Sequence, residues 1–178
     1  MKSFLRSQFH MKDLGELSYF LGLEITRSAQ GLFVSQYKYA TDLLKEYEVH
    51  EREVKLPLDQ HEKLTLTDGD PLPQYESYQR LVGQLIYLTI TRPDICYVVQ
   101  VLSQFMHAPT TNHLVAARHV LRHLKNSPSQ GLLMAHSSAA HLTTFCDANW
   151  ASCPNTRRST TGYCILLGQS PISWKSKK

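Results

Sequence analysis

Only two acidic residues, Asp94 and Asp147, occur between positions 91 and 178, although the chain holds 15 Asp and Glu in all. Chemistry that clamps two divalent ions needs several carboxylates in one place. Asp147 lies in a β-rich run with Asn149 two residues on, and no second acid is near it in sequence. One carboxylate helped by water holds Mg²⁺ weakly at most. His119 and His123 stand four apart on one helical stretch, a spacing that metal ligands use. Val120 and Leu121 fill the gap where a zinc protease carries its glutamate, so a solvent-facing or phosphate-near pair is expected instead. Cys146 and Cys153 flank Asp147 without zinc-ribbon spacing. The four cysteines contain no CxxC, which suits reduced thiols in an intracellular protein.

A different pattern suggests binding rather than chemistry. Gln79, Gly83 and Tyr87 fall at i, i+4 and i+8 of one predicted helix, opposite an apolar side of Leu81, Val82, Leu85, Ile86 and Leu88. An amide, a bare backbone and a flat hydroxylated ring in a row make a face that a large partner can approach closely. Glycine costs about 1 kcal/mol in a helix, and a core helix that tolerates it is the plain alternative. Charge is unevenly divided. Residues 1–90 hold 10 Lys and Arg against 13 Asp and Glu, a net −3, and residues 91–178 hold 9 against 2, a net +7. Such asymmetry points to a polyanion near the second half. Arg80, Arg92, Arg118, Arg122 and Lys125 are candidate phosphate contacts, each steepening the salt dependence of binding. Trp150 and Trp174 suit stacking on bases, but burial at the edge of a core is the expectation for both.

The elements that must position these residues read as α+β. Residues 1–12 form an amphipathic helix with Phe4, Leu5, Phe9 and Met11 inward, closed by Asp13-Leu14-Gly15. Leu17–Thr26 and Leu32–Ser35 make a hairpin around Gly31. Ser35 caps a helix over 36–47 with an Ala40, Leu43, Leu44, Tyr47 stripe. Residues 48–75, with three prolines and no clear period, are an extended connector. Two helices broken at Arg92-Pro93 follow. The second carries an inward stripe of Ile95, Val98, Val99, Leu102, Phe105 and Met106. Another helix runs over 111–125, with Leu114, Ala117, Leu121 and Leu124 inward and Arg118, His119, Arg122, His123 and Lys125 on its other side. From Leu132 onward the pattern turns to short β-rich runs at 132–135, 141–147, 162–167 and 172–175. No apolar run is long enough to span a membrane, and the N-terminus lacks a signal-peptide core.

Four colinear blocks carry a family likeness: FHMKDLGELSYFLGLEITRSAQGLFVSQYKYATDLL, YQRLVGQLIYL, TRPDICYVVQVLSQFM with HLVAARHVLRHLK, and CDANWASCPNTRRSTTGYCILLGQSPISWKSKK. The chain resembles the C-terminal part of copia-type retrotransposon reverse transcriptases and the start of the RNase H region that follows. The resemblance implies that residues 1–47 are the end of the palm with a first following helix. Residues 48–130 would be a connector with thumb- or connection-like helices, and 131–178 the opening strands of an incomplete RNase H-like sheet. It implies a primer grip over Phe20, Leu21, Gly22, Leu23 and Glu24, with Gly22 permitting close approach to a primer. It also implies minor-groove tracking by Gln79, Gly83 and Tyr87, as on the thumb helix of retroviral enzymes. Asp147 matches the first RNase H carboxylate, whereas Asn149 stands where the family has a second acid. Arg157 and Arg158 match an Arg-Arg-Ser-Thr run; contact with a hybrid and bracing of the hairpin are both open.

The family's polymerase aspartates belong to a Tyr-x-Asp-Asp turn, which does not occur here, and the acidic helix that follows the third RNase H strand is not present either. The expectation is therefore a nucleic-acid-binding piece of a Pol polyprotein that is catalytically incomplete by itself. It would need no cofactor, Mg²⁺ belonging to the parent enzyme. The other reading is a degenerate element remnant, inactive or turned to protein binding. Unpaired sheet edges would then favour self-association.

Overall fold

The computed structural model describes residues 2–178 apart from 13, 14, 59–63, 137, 138 and 152, with nothing said of the side chains of Lys2 and Ser3. Its helices are α1 (Lys2–Gln8), α2 (Tyr37–Glu46), α3 (Tyr75–Leu88), α4 (Cys96–Ser103) and α5 (Thr111–Asn126). Its strands are β1 (Tyr19–Phe20), β2 (Leu23–Ser28), β3 (Gly31–Ser35), β4 (Gly131–Ala135), β5 (Leu142–Asn149), β6 (Thr160–Leu167) and β7 (Ser170–Lys177). The α+β expectation holds: helices and two antiparallel sheets, β1-β2-β3-β4 and β5-β6-β7.

The core lies among α2, α3, α4 and α5. Leu81, Val82, Leu85 and Leu88 of α3 meet Val98, Val99 and Leu102 of α4 and Ala117, Val120, Leu121 and Leu124 of α5. These residues follow the helical periods of the sequence, because a stripe at i, i+3 and i+4 must leave water. One member is misassigned. Ile86 is 45% exposed, and the side is completed instead by Tyr78, whose hydroxyl donates to the Leu102 carbonyl at 2.8 Å. A ring with a bonded hydroxyl removes more apolar surface from water than an aliphatic side chain facing a groove.

Three local expectations change. The stretch read as one strand over 17–26 is a tight hairpin, since Leu21 (φ 49°) and Gly22 (φ 77°) make a two-residue turn between β1 and β2. Ser35 does not cap α2; the helix starts after Gln36 without a side-chain cap. The Glu24 carboxylate accepts the Lys38 backbone N–H at 2.7 Å instead. In the N-terminal segment Phe4, Phe9 and Met11 are exposed rather than inward. The Asp13-Leu14 part of the turn predicted there lies outside the described residues.

Leu132–Ala135 does not join the C-terminal strands. As β4 it pairs antiparallel with β3, from Gly31↔Ala135 to Ser35↔Gly131, and closes the first sheet across the whole helical region. The connector of residues 48–74 contains neither helix nor strand among its described residues, apart from one bridge, Pro71↔Thr110.

Candidate nucleic-acid interface

Gly83 lies on the exposed side of α3, and a Cβ built there meets nothing within 4 Å. Ile86 and Ile90, three and seven residues on, continue the same side. The neighbours named with it in sequence are committed elsewhere. Gln79 is half-buried, and its amide donates to the Met106 carbonyl at 2.7 Å. Tyr87 is also half-buried; its hydroxyl donates to the Leu21 carbonyl, and its ring stands edge-on to Tyr39 at 4.8 Å. Of the three residues, Gly83 alone presents an open surface.

The Tyr87 bond ties the end of α3 to the β1–β2 turn. Gly22 sits at that contact with positive φ, and a side chain there would overlap the Tyr87 hydroxyl. Tyr19, Phe20 and Leu21 are exposed at the same turn. Glu24 is the residue that binds the first turn of α2. Arg80 is exposed and ion-paired with Glu46 at 2.7 Å. Its neighbour Gln84 bridges Glu46 and Tyr47, so α2 and α3 are laced along one side.

Beyond Ile86 and Ile90 the surface dips into an open groove of about 490 Å³ between the end of α3, α4 and β7. Val99, Gln100, Ser103, Ile172, Trp174 and Lys175 line it. The Trp174 indole N–H donates to the Thr89 carbonyl at 2.8 Å, as suits an aromatic at the edge of a core. Trp150 departs from the expected burial: it is 91% exposed in the turn after β5.

The three basic residues of α5 hold the connector. Lys125 Nζ donates to the carbonyls of Val49, His50 and Glu51 at 3.1–3.4 Å, and Arg122 Nε donates to the Arg52 carbonyl at 2.8 Å. Arg118 lies 3.6 Å from the Glu51 carboxylate, and His119 Nε2 lies 3.0 Å from the Leu56 carbonyl. Arg157 and Arg158 are exposed in the β5–β6 loop and make no side-chain bond with the described residues.

Two residues read as surface cations or a phosphate-near pair are interior. Arg92 is 1% exposed and His123 is buried; both converge on Asp94. Arg92 reaches the two Asp94 oxygens at 2.8–3.3 Å and the Ser127 carbonyl at 2.9 Å, and His123 Nε2 lies 2.9 Å from Asp94 Oδ2. Burial pushes the Asp94 carboxyl up, but bonds from His123 and Arg92 and the charge of both outweigh it. They hold it well below the usual carboxylate range. Sequence reasoning missed this cluster. An acid two residues after Arg92 was the only signal for it, and it read equally well as a helix start.

Asp147 is exposed on β5, opposite Gly162, beside a 250 Å³ hollow lined by Asn149, Thr160, Ser176 and Tyr97. Among the described residues no three His, Cys, Asp or Glu side chains gather as metal ligands. This donor set does not fit a two-ion clamp.

A family model described as reverse transcriptase (RNA-dependent DNA polymerase) matches residues 1–59. The Retrovirus-related Pol polyproteins from transposons RE1 and RE2 of Arabidopsis thaliana are each 42% identical to this chain over 98% of its length. The chain spans 12% of the length of either. The Uncharacterized mitochondrial protein AtMg00810 of the same plant is 40% identical over 98% of this chain and 72% of its own length. No solved structure matches. The match along nearly the whole chain places it, plainly, in the Pol polyprotein family of copia-type retrotransposons.

Proposed function

We propose that this chain supplies part of the surface on which a retrotransposon reverse transcriptase holds its nucleic-acid duplex, and that by itself it carries out no chemistry. The observation that carries this reading is the open backbone at Gly83, flanked by Ile86 and Ile90, on a helix whose end is bonded to the β1–β2 turn. A smooth helical side with no Cβ suits the shallow minor groove of an RNA-containing duplex. The adjoining turn, residues 21 and 22, would meet the primer. Arg157 and Arg158, exposed and without a side-chain bond among the described residues, offer cations to phosphates. The cations of α5 contribute less than their sequence suggests, since connector carbonyls already occupy them.

In this reading β5-β6-β7 is the opening of an RNase H-like sheet. Its support is the antiparallel order of three consecutive strands, with Asp147 near the end of the first. One carboxylate does not make the metal site of such an enzyme, so no cleavage step is assigned to this chain. Binding is tested by titrating a labelled RNA–DNA duplex with the wild type and with Gly83→Leu. The variant should bind at least about tenfold more weakly, a loss of about 1.4 kcal/mol, with an unchanged or higher melting temperature. Equal affinity for the two proteins would contradict the reading.

A second reading, a remnant whose role is protein binding or none, draws on one observation. The mitochondrial relative matches this chain over 72% of its own length, so closely related sequence also makes up most of a much shorter protein.

A further inference from the structure

We propose that the basic side of α5 is a second, weaker surface for the phosphates of a nucleic-acid duplex, covered in this structure by residues 50–56 of the connector, and that a duplex binds it by lifting that segment. Arg118, Arg122 and Lys125 stand at i, i+4 and i+7 of α5 and so share one side of the helix. From Arg118 to Lys125 the axis rises about 10 Å, over which one strand of a duplex carries about three phosphates. Cations and phosphates therefore match in number over the same length.

A row of oxygen acceptors already lies along these cations. Lys125 Nζ donates to the successive carbonyls of Val49, His50 and Glu51, and Arg122 Nε donates to that of Arg52. Arg118 faces the Glu51 carboxylate, the one charged acceptor in the row. The connector backbone thus stands where a phosphate backbone would run.

This cover is lightly held. The Lys125 contacts, at 3.1–3.4 Å, and the Arg118–Glu51 distance of 3.6 Å are long beside the about 2.7–2.9 Å of a strong charged bond. Both partners of that pair are half exposed, and such pairs add little to stability. Every residue from 50 to 56 is exposed except Val54, which is half-buried and donates its N–H to the Arg122 carbonyl at 3.4 Å. Residues 50–55, with Lys125 and Asn126, line an open hollow of about 460 Å³, so the segment is not packed down onto the helix end. Val49 and Leu58 pack against the helical core and fix the two ends. A phosphate oxygen carries charge that a carbonyl lacks, and its neutralisation releases counterions. Exchange of carbonyls for phosphates is therefore favoured, but the cations must first leave the connector, so this surface fills after α3. The inference shares a ligand with the duplex-binding reading and none of its residues.

The test follows backbone ¹⁵N relaxation of the whole chain as an RNA–DNA duplex is added. Order parameters of residues 50–56 should lie near the rigid value of about 0.85 in the free chain and fall below about 0.6 in excess duplex, while those of Val49 and Leu58 hold. Gly83→Leu should keep this weaker step, since α3 takes no part in it. Arg118→Gln, at an exposed position, should melt as wild type does and lower the salt slope of the weaker step by about 0.9. Polyglutamate of equal charge should leave the segment ordered. A segment already mobile in the free chain or still ordered in excess duplex would overturn the proposal. So would loss of the weaker step in Gly83→Leu, or a salt slope that ignores Arg118→Gln. Lifting by polyglutamate as readily as by duplex would assign the surface to acidic protein instead, and would overturn it too.

Discussion

Asp94 shows how much one side chain can hold. It neutralises the interior Arg92 and binds His123, joining the α3–α4 break to α5. Arg92 is buried whereas Asp94 is partly open to solvent, so Asp94→Ala leaves an interior charge uncompensated and should cost up to about 3 kcal/mol, the low end for a broken buried pair, read as a drop in the denaturant midpoint. The carboxyl is held below its ordinary pKa in the folded chain. Its contribution is therefore complete above the unfolded value, about 4, and is lost as pH falls below that. Such a role is hard to read from sequence. Arg92 looks like any exposed cation until Pro93 and the turn at 89–91 aim it inward. Gly83 was legible because helical spacing alone sets which side it lies on. The engagement of Gln79 and Tyr87 was not, since their acceptors, Met106 and Leu21, are set by tertiary packing.

At the scale of elements, α5 organises the connector. The basic residues near its C-terminal end grip backbone carbonyls of residues 49–52, and His113 near its start grips Thr65. His113 Nδ1 accepts the Thr110 N–H at 2.9 Å, and the ring stacks on Phe105 at 3.9 Å between centroids. That bond requires a neutral ring. Burial lowers the pKa of His113, outweighing the Thr65 carbonyl, which raises it. Stability linked to this group is therefore complete above the unfolded value, about 6.5, and declines as pH drops below it. Thermal melts at steps from pH 7.5 to 5 should show this decline, and a His113→Asn variant, though less stable overall, should show a flatter slope across that interval. Equal slopes would remove His113 from the account. The helices themselves were readable from apolar periodicity, and α5 lies where the spacing puts it. The grip on the connector was not readable, because backbone carbonyls carry no sequence signal.

For the whole molecule, the two sheets divide the chain differently from the compositional shift at Leu132. Strand β4 has the β-rich character of the C-terminal region yet completes the sheet begun by β1–β3. Short apolar strands name no partner in their sequence; pairing over about a hundred residues is decided by the helices between. The second sheet rests against the helical region through α4 and through Trp174, and the Ala135 N–H bonds Ser170 at 2.9 Å. The Gly83 side adjoins the β1–β2 turn through Tyr87 and the groove beside β7 through Ile86 and Ile90; the sequence indicated the helix by its spacing and the turn by resemblance, but not the groove.

The central claim is that a duplex lies along that side of α3. Backbone amide shifts of the isotope-labelled chain, followed while an RNA–DNA duplex is added, test it most directly. The account predicts the largest changes at Gly83, Ile86 and Ile90 and at Leu21 and Gly22. Changes confined to Arg157, Arg158 and the C-terminal lysines, with α3 silent, would contradict it.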